Sequence, residues 1–108
     1  MFTTANADGY RELLPGVRLR TLVHGERTLM GEFQIDAGAV IPAHQHPYEQ
    51  TGYLVSGRLR FEVEGVATVA APGDSWNLAS GVVHGATALE NVVVVEVFSP
   101  PREDYLAE

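Results

Sequence analysis

The chain has 108 residues, no Cys and a formal net charge of −7, with 14 acidic side chains against seven basic ones, every one of them Arg. This excludes disulfides, thiolate metal sites, a Cys nucleophile, a Schiff-base lysine and a phosphate-loop lysine. The length suits a single domain over residues 1–108, and no basic stripe is present for a nucleic-acid partner. The opening "MFTTANADGYRELLPG" lacks the basic-then-apolar pattern of a signal peptide, and no apolar run is long enough to span a bilayer. The expectation is a cytoplasmic protein with no membrane and no nucleic-acid partner.

Residues 1–12 read as a loose arm. "VRLRTLV" (17–23) then alternates Val17 and Leu19 with Arg18 and Arg20, and "HGER" (24–27) is a turn. "LMGEFQI" (29–35) alternates again, with Phe33 and Ile35 on one face. "DAGAVIP" (36–42) is a turn followed by a short strand, and "YLVSG" (53–57) is a strand that stops at Gly57. "RLRFEVEG" (58–65) has period two, with Leu59, Phe61 and Val63 inward and Arg58, Arg60 and Glu62 outward. Glu64-Gly65 turns the chain into "VATVA" (66–70), and "APGD" (71–74) suits a type II turn. "VVVVEVF" (92–98) is the most apolar strand, stopped by Pro100-Pro101. Many short strands with frequent turns and no helical period predict an all-β sandwich or barrel. The Val92–Val95 run does not alternate, so it reads as buried on both faces, either under other strands or against a second copy in a homodimer.

The chemistry concentrates in "PAHQHPYEQTGY" (42–53). On a strand, residues i and i+2 share a face, so His44 and His46 point the same way, roughly 7 Å apart along the chain. Both can reach one ion. Gln50 has the same parity, and a bend at Pro47 could bring it to the same point; Glu49 has the opposite parity. A third imidazole, His84, follows another strand and turn, whereas His24 sits in a turn signal and reads as a surface residue. Glu96 stands alone among apolar neighbours. It belongs in a functional cavity, or it lies at an exposed edge or pairs with Arg58 or Arg60.

The spacings resemble the two motifs of the cupin superfamily. The first runs Gly38, five residues, His44, one residue, His46, three residues, Gln50, six residues, Gly57. The second runs Gly73, seven residues, Gly81, two residues, His84. The resemblance implies a small β-barrel, the jelly roll, holding one divalent transition metal ion (Ni, Zn, Fe, Mn or Co) with His44, His46, Gln50 and His84. Where the cupin pattern has Glu, this chain has Gln50. Three imidazoles and an amide leave the ion its full charge, which suits Lewis-acid work on an oxygen-rich ligand better than oxygen activation.

The ending "EVFSPPREDYL" (96–106) resembles that of the KdgF-type cupins, which convert 4,5-unsaturated monouronates to their linear keto form. The resemblance implies a small carboxylated sugar as substrate and a catalytic set of Glu96, Phe98 and Arg102, with Glu96 where those proteins have Asp. Arg102 would pair with the carboxylate and Glu96 would move a proton. Phe98, Tyr53 and Trp76 would line the pocket, or be plain core. Arg18 and Arg20 would add charge at its mouth, or be solvated. Glu96→Gln is expected to stop turnover and leave the metal in place. The alternatives are another metal-dependent cupin enzyme, a dioxygenase or lyase on a small carboxylated molecule, and a non-catalytic cupin that binds a small ligand.

Overall fold

The computed structural model describes residues 1–106 and is built almost wholly of β-strands. In chain order these are β1 (Arg11–Leu14), β2 (Val17–His24), β3 (Leu29–Ile35), β4 (Val40–His44), β5 (Glu49–Ser56), β6 (Leu59–Val63), β7 (Val66–Ala70), β8 (Ser75–Leu78), β9 (His84–Ala88) and β10 (Val92–Ser99). One short helix, α1 (Glu103–Leu106), follows. The strands form a six-stranded sheet in the order β1-β2-β3-β10-β5-β8 and a four-stranded sheet in the order β4-β9-β6-β7. All pairings are antiparallel.

The period-two pattern places the core between the sheets. Val17 and Leu19 of β2, Phe33 and Ile35 of β3, and Leu59 and Phe61 of β6 are buried. Their intervening partners Arg18, Gln34 and Arg60 lie on the outer faces, where Arg18 pairs with Asp36 at 2.8 Å and Arg60 with Glu62 at 3.1 Å. Arg20 holds the N-terminal segment through the carbonyls of Thr4 and Asn6, at 3.0 and 3.1 Å. Neither Arg18 nor Arg20 lines the cavity described below.

β10 is hydrogen-bonded on both sides, to β3 and β5. Its burial alternates although its sequence does not: Val92, Val94, Glu96 and Phe98 are buried, while Val93, Val95 and Val97 are half-buried on the outer face. The expectation that other strands of the chain bury this face is corrected accordingly; its burial against a second copy is a proposal. β1 begins at Arg11, inside the segment read as an arm. β5 begins four residues before Tyr53, because Glu49–Gly52 take their ladder partners from distant β10 and β8.

The turns follow local chemistry. Glu64 and Gly65 have φ of 50° and 78°. Positive φ at both central residues is the two-residue hairpin geometry that matches strand twist. The Ala71–Asp74 turn closes through Asp74 N–H to the Ala71 carbonyl at 3.0 Å. Gly57 ends β5 at φ +86°, and a Cβ there would lie 2.1 Å from the Asn91 carbonyl oxygen. Gly57→Ala is therefore expected to cost about 1–3 kcal/mol from the backbone conformation alone, read as a lowered thermal midpoint. An unchanged midpoint would show that the loop before β10 yields freely. No helix among the described residues is long and apolar enough to cross a membrane.

Candidate functional site

Among the described residues the buried polar or charged side chains are Gln50, His84 and Glu96. All three line one cavity of about 410 Å³ between the sheets, with His44, Trp76, Phe98 and Arg102 also on its wall. The volume falls within the range of small-molecule sites.

His44 ends β4 and faces His84, its cross-strand partner on β9. His46 lies beyond the end of β4, in the loop before β5. The strand geometry expected for both histidines thus holds only for His44, and the chain bend brings His46 in. One ring nitrogen from each of His44, His46 and His84 lies within 4.8 Å of the others. Each ring is oriented by its Nδ1, which meets a backbone carbonyl: Pro42 at 2.9 Å for His44, Tyr48 at 3.0 Å for His46 and Val82 at 2.9 Å for His84. A carbonyl only accepts, so Nδ1 carries the proton and the Nε2 lone pair is left for a ligand. Burial is the largest influence on His46 and His84 and lowers the pKa of both, favouring neutral rings.

Gln50 enters from the second residue of β5. Its Oε1 lies 2.9 Å from His46 Nε2. With the His46 proton on Nδ1, that contact sets two lone pairs face to face, an arrangement that a cation between them makes favourable. The donor set and its orientation therefore fit a divalent ion bound by imidazoles and an amide oxygen. Glu49 points outward and accepts from Asn77 Nδ2 at 3.0 Å, as its parity predicts. His24 is exposed at the end of β2.

Glu96 faces inward from the centre of the six-stranded sheet and is 4% exposed. It pairs with neither Arg58 nor Arg60. Trp76 Nε1–H donates to its Oε1 at 2.8 Å, and Gln50 Nε2 donates to its Oε2. Burial pushes its pKa up to about 8, opposed by the Trp76 hydrogen bond; a nearby cation would oppose it further.

Arg102, with a side chain 14% exposed, is cradled by aromatic rings. Its guanidinium carbon lies 4.0 Å from the Tyr105 ring centre, 5.0 Å from Phe98 and 5.2 Å from Tyr48. Asp104 takes its Nε–Nη2 edge, at 3.2 and 2.8 Å. Burial raises the pKa of Asp104, but the Arg102 hydrogen bond and charge outweigh it, so the net shift is downward. Nη1 takes no part in this pair. Phe98 is 1% exposed, with its ring set against those of Phe33, Tyr105 and His46. Tyr53 is 52% exposed and faces away from the cavity, so its expected place in the lining is corrected; Trp76 does line it. Tyr48, Asp104 and Tyr105 carried no signal beyond their nearness in sequence to His46 and Arg102.

The cupin-domain family model matches residues 31–98, from β3 to β10. The chain belongs to the cupin family. This cupin resembles the solved KdgF from Halomonas sp., at 32% identity over 96% of each chain and a TM-score of 0.91. An RmlC-like cupin from Shewanella frigidimarina NCIMB 400 is 28% identical over 96% of this chain and 94% of that one, also at 0.91. Ectoine synthase from P. lautus, 21% identical over 87% and 70% with a TM-score of 0.78, shares the fold. No curated protein matches the chain.

Proposed function

We propose that this cupin is a metal-dependent enzyme acting on a small carboxylated sugar, converting a 4,5-unsaturated monouronate to its linear keto form. The observation that carries the reading is the placing of Glu96 inside the cavity, against Gln50 and beside the three-histidine cluster. The resemblance to KdgF supports the substrate class. His44, His46, Gln50 and His84 would hold the ion, which would act as a Lewis acid toward a ligand oxygen.

The remaining work falls to the chain's own side chains. Arg102, already oriented by Asp104 and its ring cradle, receives the substrate carboxylate on its free edge. The reaction is an isomerisation. The hemiacetal hydroxyl loses a proton, the ring C1–O bond breaks to leave an aldehyde and an enolate, and the enolate gains a proton at C4 as it becomes the ketone. Glu96 is the group placed to take the first proton and deliver the second. Phe98 and Trp76 form apolar walls that keep water from the reacting carbons.

The test is loss of the conjugated enol absorbance of a freshly generated 4,5-unsaturated monouronate, followed with Ni- or Co-loaded protein. Acceleration above the spontaneous rate is expected, and the His44→Ala/His46→Ala double variant should show neither acceleration nor metal uptake. A metal-loaded wild-type protein that leaves the spontaneous rate unchanged would remove the uronate assignment. Oxygen uptake by an iron-loaded sample would move the protein to the dioxygenase reading.

A further inference from the structure

The neutral amide at position 50 has its reason in its neighbour. Gln50 uses both ends: Nε2 donates to Glu96 Oε2, and Oε1 faces His46 Nε2 at 2.9 Å. A glutamate at position 50 would set carboxylate against carboxylate. Glutamine reversed end for end would set its oxygen against Glu96 and turn N–H hydrogens toward the imidazoles, where a metal needs a lone pair. Of these arrangements, the observed one offers an oxygen to the cluster while each Glu96 oxygen accepts from a donor.

Glu96 is itself held. Glu96, Gly52 and Trp76 are successive cross-strand partners on β10, β5 and β8. Gly52 has no side chain, so the Trp76 indole reaches over it to Glu96 Oε1 at 2.8 Å. A Cβ on Gly52 would lie 1.8 Å from that oxygen and 2.2 Å from the indole nitrogen.

We infer that Glu96 is a positioning residue for the metal centre: its carboxylate selects the end of the Gln50 amide that points at the histidines, and Trp76, reaching across Gly52, keeps that carboxylate in place. The inference rests on the reading that the three histidines and Gln50 hold a divalent ion, and on nothing about the substrate. It revises the expectation that Glu96→Gln leaves the metal undisturbed. The new amide would accept from Trp76 through its oxygen and turn its NH2 group against that of Gln50. Gln50 would then reverse, and the centre would lose its fourth ligand, the amide oxygen.

The test measures Co²⁺ affinity by competition with a chromophoric chelator, without substrate, for wild type, Glu96→Gln, Gln50→Glu and the double variant. Loss of an orienting partner typically weakens metal binding about 10–100-fold, and that loss is expected for Glu96→Gln beside Gln50. In the Gln50→Glu background the same substitution is expected to cause no loss. There the amide at position 96 accepts from Trp76 and donates to the new carboxylate, whose second oxygen faces the histidines. Equal losses in both backgrounds would mean that only charge is at work and would overturn the inference, as would unchanged affinity beside Gln50. Wild-type protein that takes up no Co²⁺ would overturn the metal centre itself and the inference with it. Should Glu96→Gln not fold, Trp76→Phe removes the indole donor and keeps an aromatic ring; weakened Co²⁺ affinity supports the inference, and wild-type affinity overturns it.

Discussion

Gly52→Ala, a single added methyl, is expected to lower kcat/KM for the proposed unsaturated uronate by about 100-fold or more and to shift the emission of the one tryptophan. The methyl would occupy space 1.8 Å from Glu96 Oε1 and 2.2 Å from Trp76 Nε1. The neighbours cannot both stay. Glu96 is confined between β3 and β5 on one of the two central strands of its sheet, whereas Trp76 stands on edge strand β8. The 1.8 Å contact forces the Glu96 carboxylate itself to shift, and the indole on the edge strand swings away with it, so the carboxylate also loses its donor. Displacement of a reacting group by about 1 Å is enough for a loss of that size. The chain contains one Trp, so emission of the metal-free protein reports the indole directly, and a melting curve shows whether the fold survives. Wild-type emission together with wild-type turnover would show that the row of side chains absorbs the methyl.

Phe98→Ala is expected to be the most destabilising truncation at the site, at about 3–5 kcal/mol. A domain of this kind has about 5–15 kcal/mol in all, so the variant should sit near its unfolding threshold at 37 °C. Phe98 is 1% exposed. Its ring meets Phe33 edge-on at 6.4 Å between centroids and Tyr105 at 5.4 Å, and supports the Arg102 guanidinium at 5.0 Å. The resemblance to KdgF-type proteins implies a catalytic part for it. The contacts favour a packing part, in which the ring is the floor on which Arg102 and His46 rest. Urea unfolding checks this through the midpoint, with the slope unchanged if only stability is altered. Phe98→Leu, which refills much of the volume, should recover most of the midpoint. A Phe98→Ala protein with a wild-type midpoint would show that the ring is not part of the core.

Period-two alternation made β2, β3 and β6 legible from their own residues, because each has one face on the core and one in water. The same rule could not tell the faces of β10 apart, where Val93 and Val95 are as apolar as Val92 and Val94 yet lie on the outer face of the chain. It was silent on α1, whose single turn is too short to display a period. That His44, His46, Gln50 and His84 come together was legible because the cupin spacings run along the chain, although the geometry first given to His46 was that of a strand it lies beyond.

The pairing between side chains was not legible. Gln50 and Glu96 are 46 residues apart and meet because β5 and β10 are neighbours in a particular register; a slip of one residue would turn Glu96 outward. Gly52 looks unremarkable in "EQTGYLV" until β8 places Trp76 beside it. The Arg102 cradle likewise needs Tyr48 from the loop before β5 and Tyr105 from α1. Residue types and their spacing were enough to decide the family, the all-β class and the set of candidate ligands, since each depends on order along one chain. Which end of Gln50 faces the histidines, and what holds Glu96 in place, were decided by strand register, since hydrogen bonds between distant segments exist only after the sheets have formed.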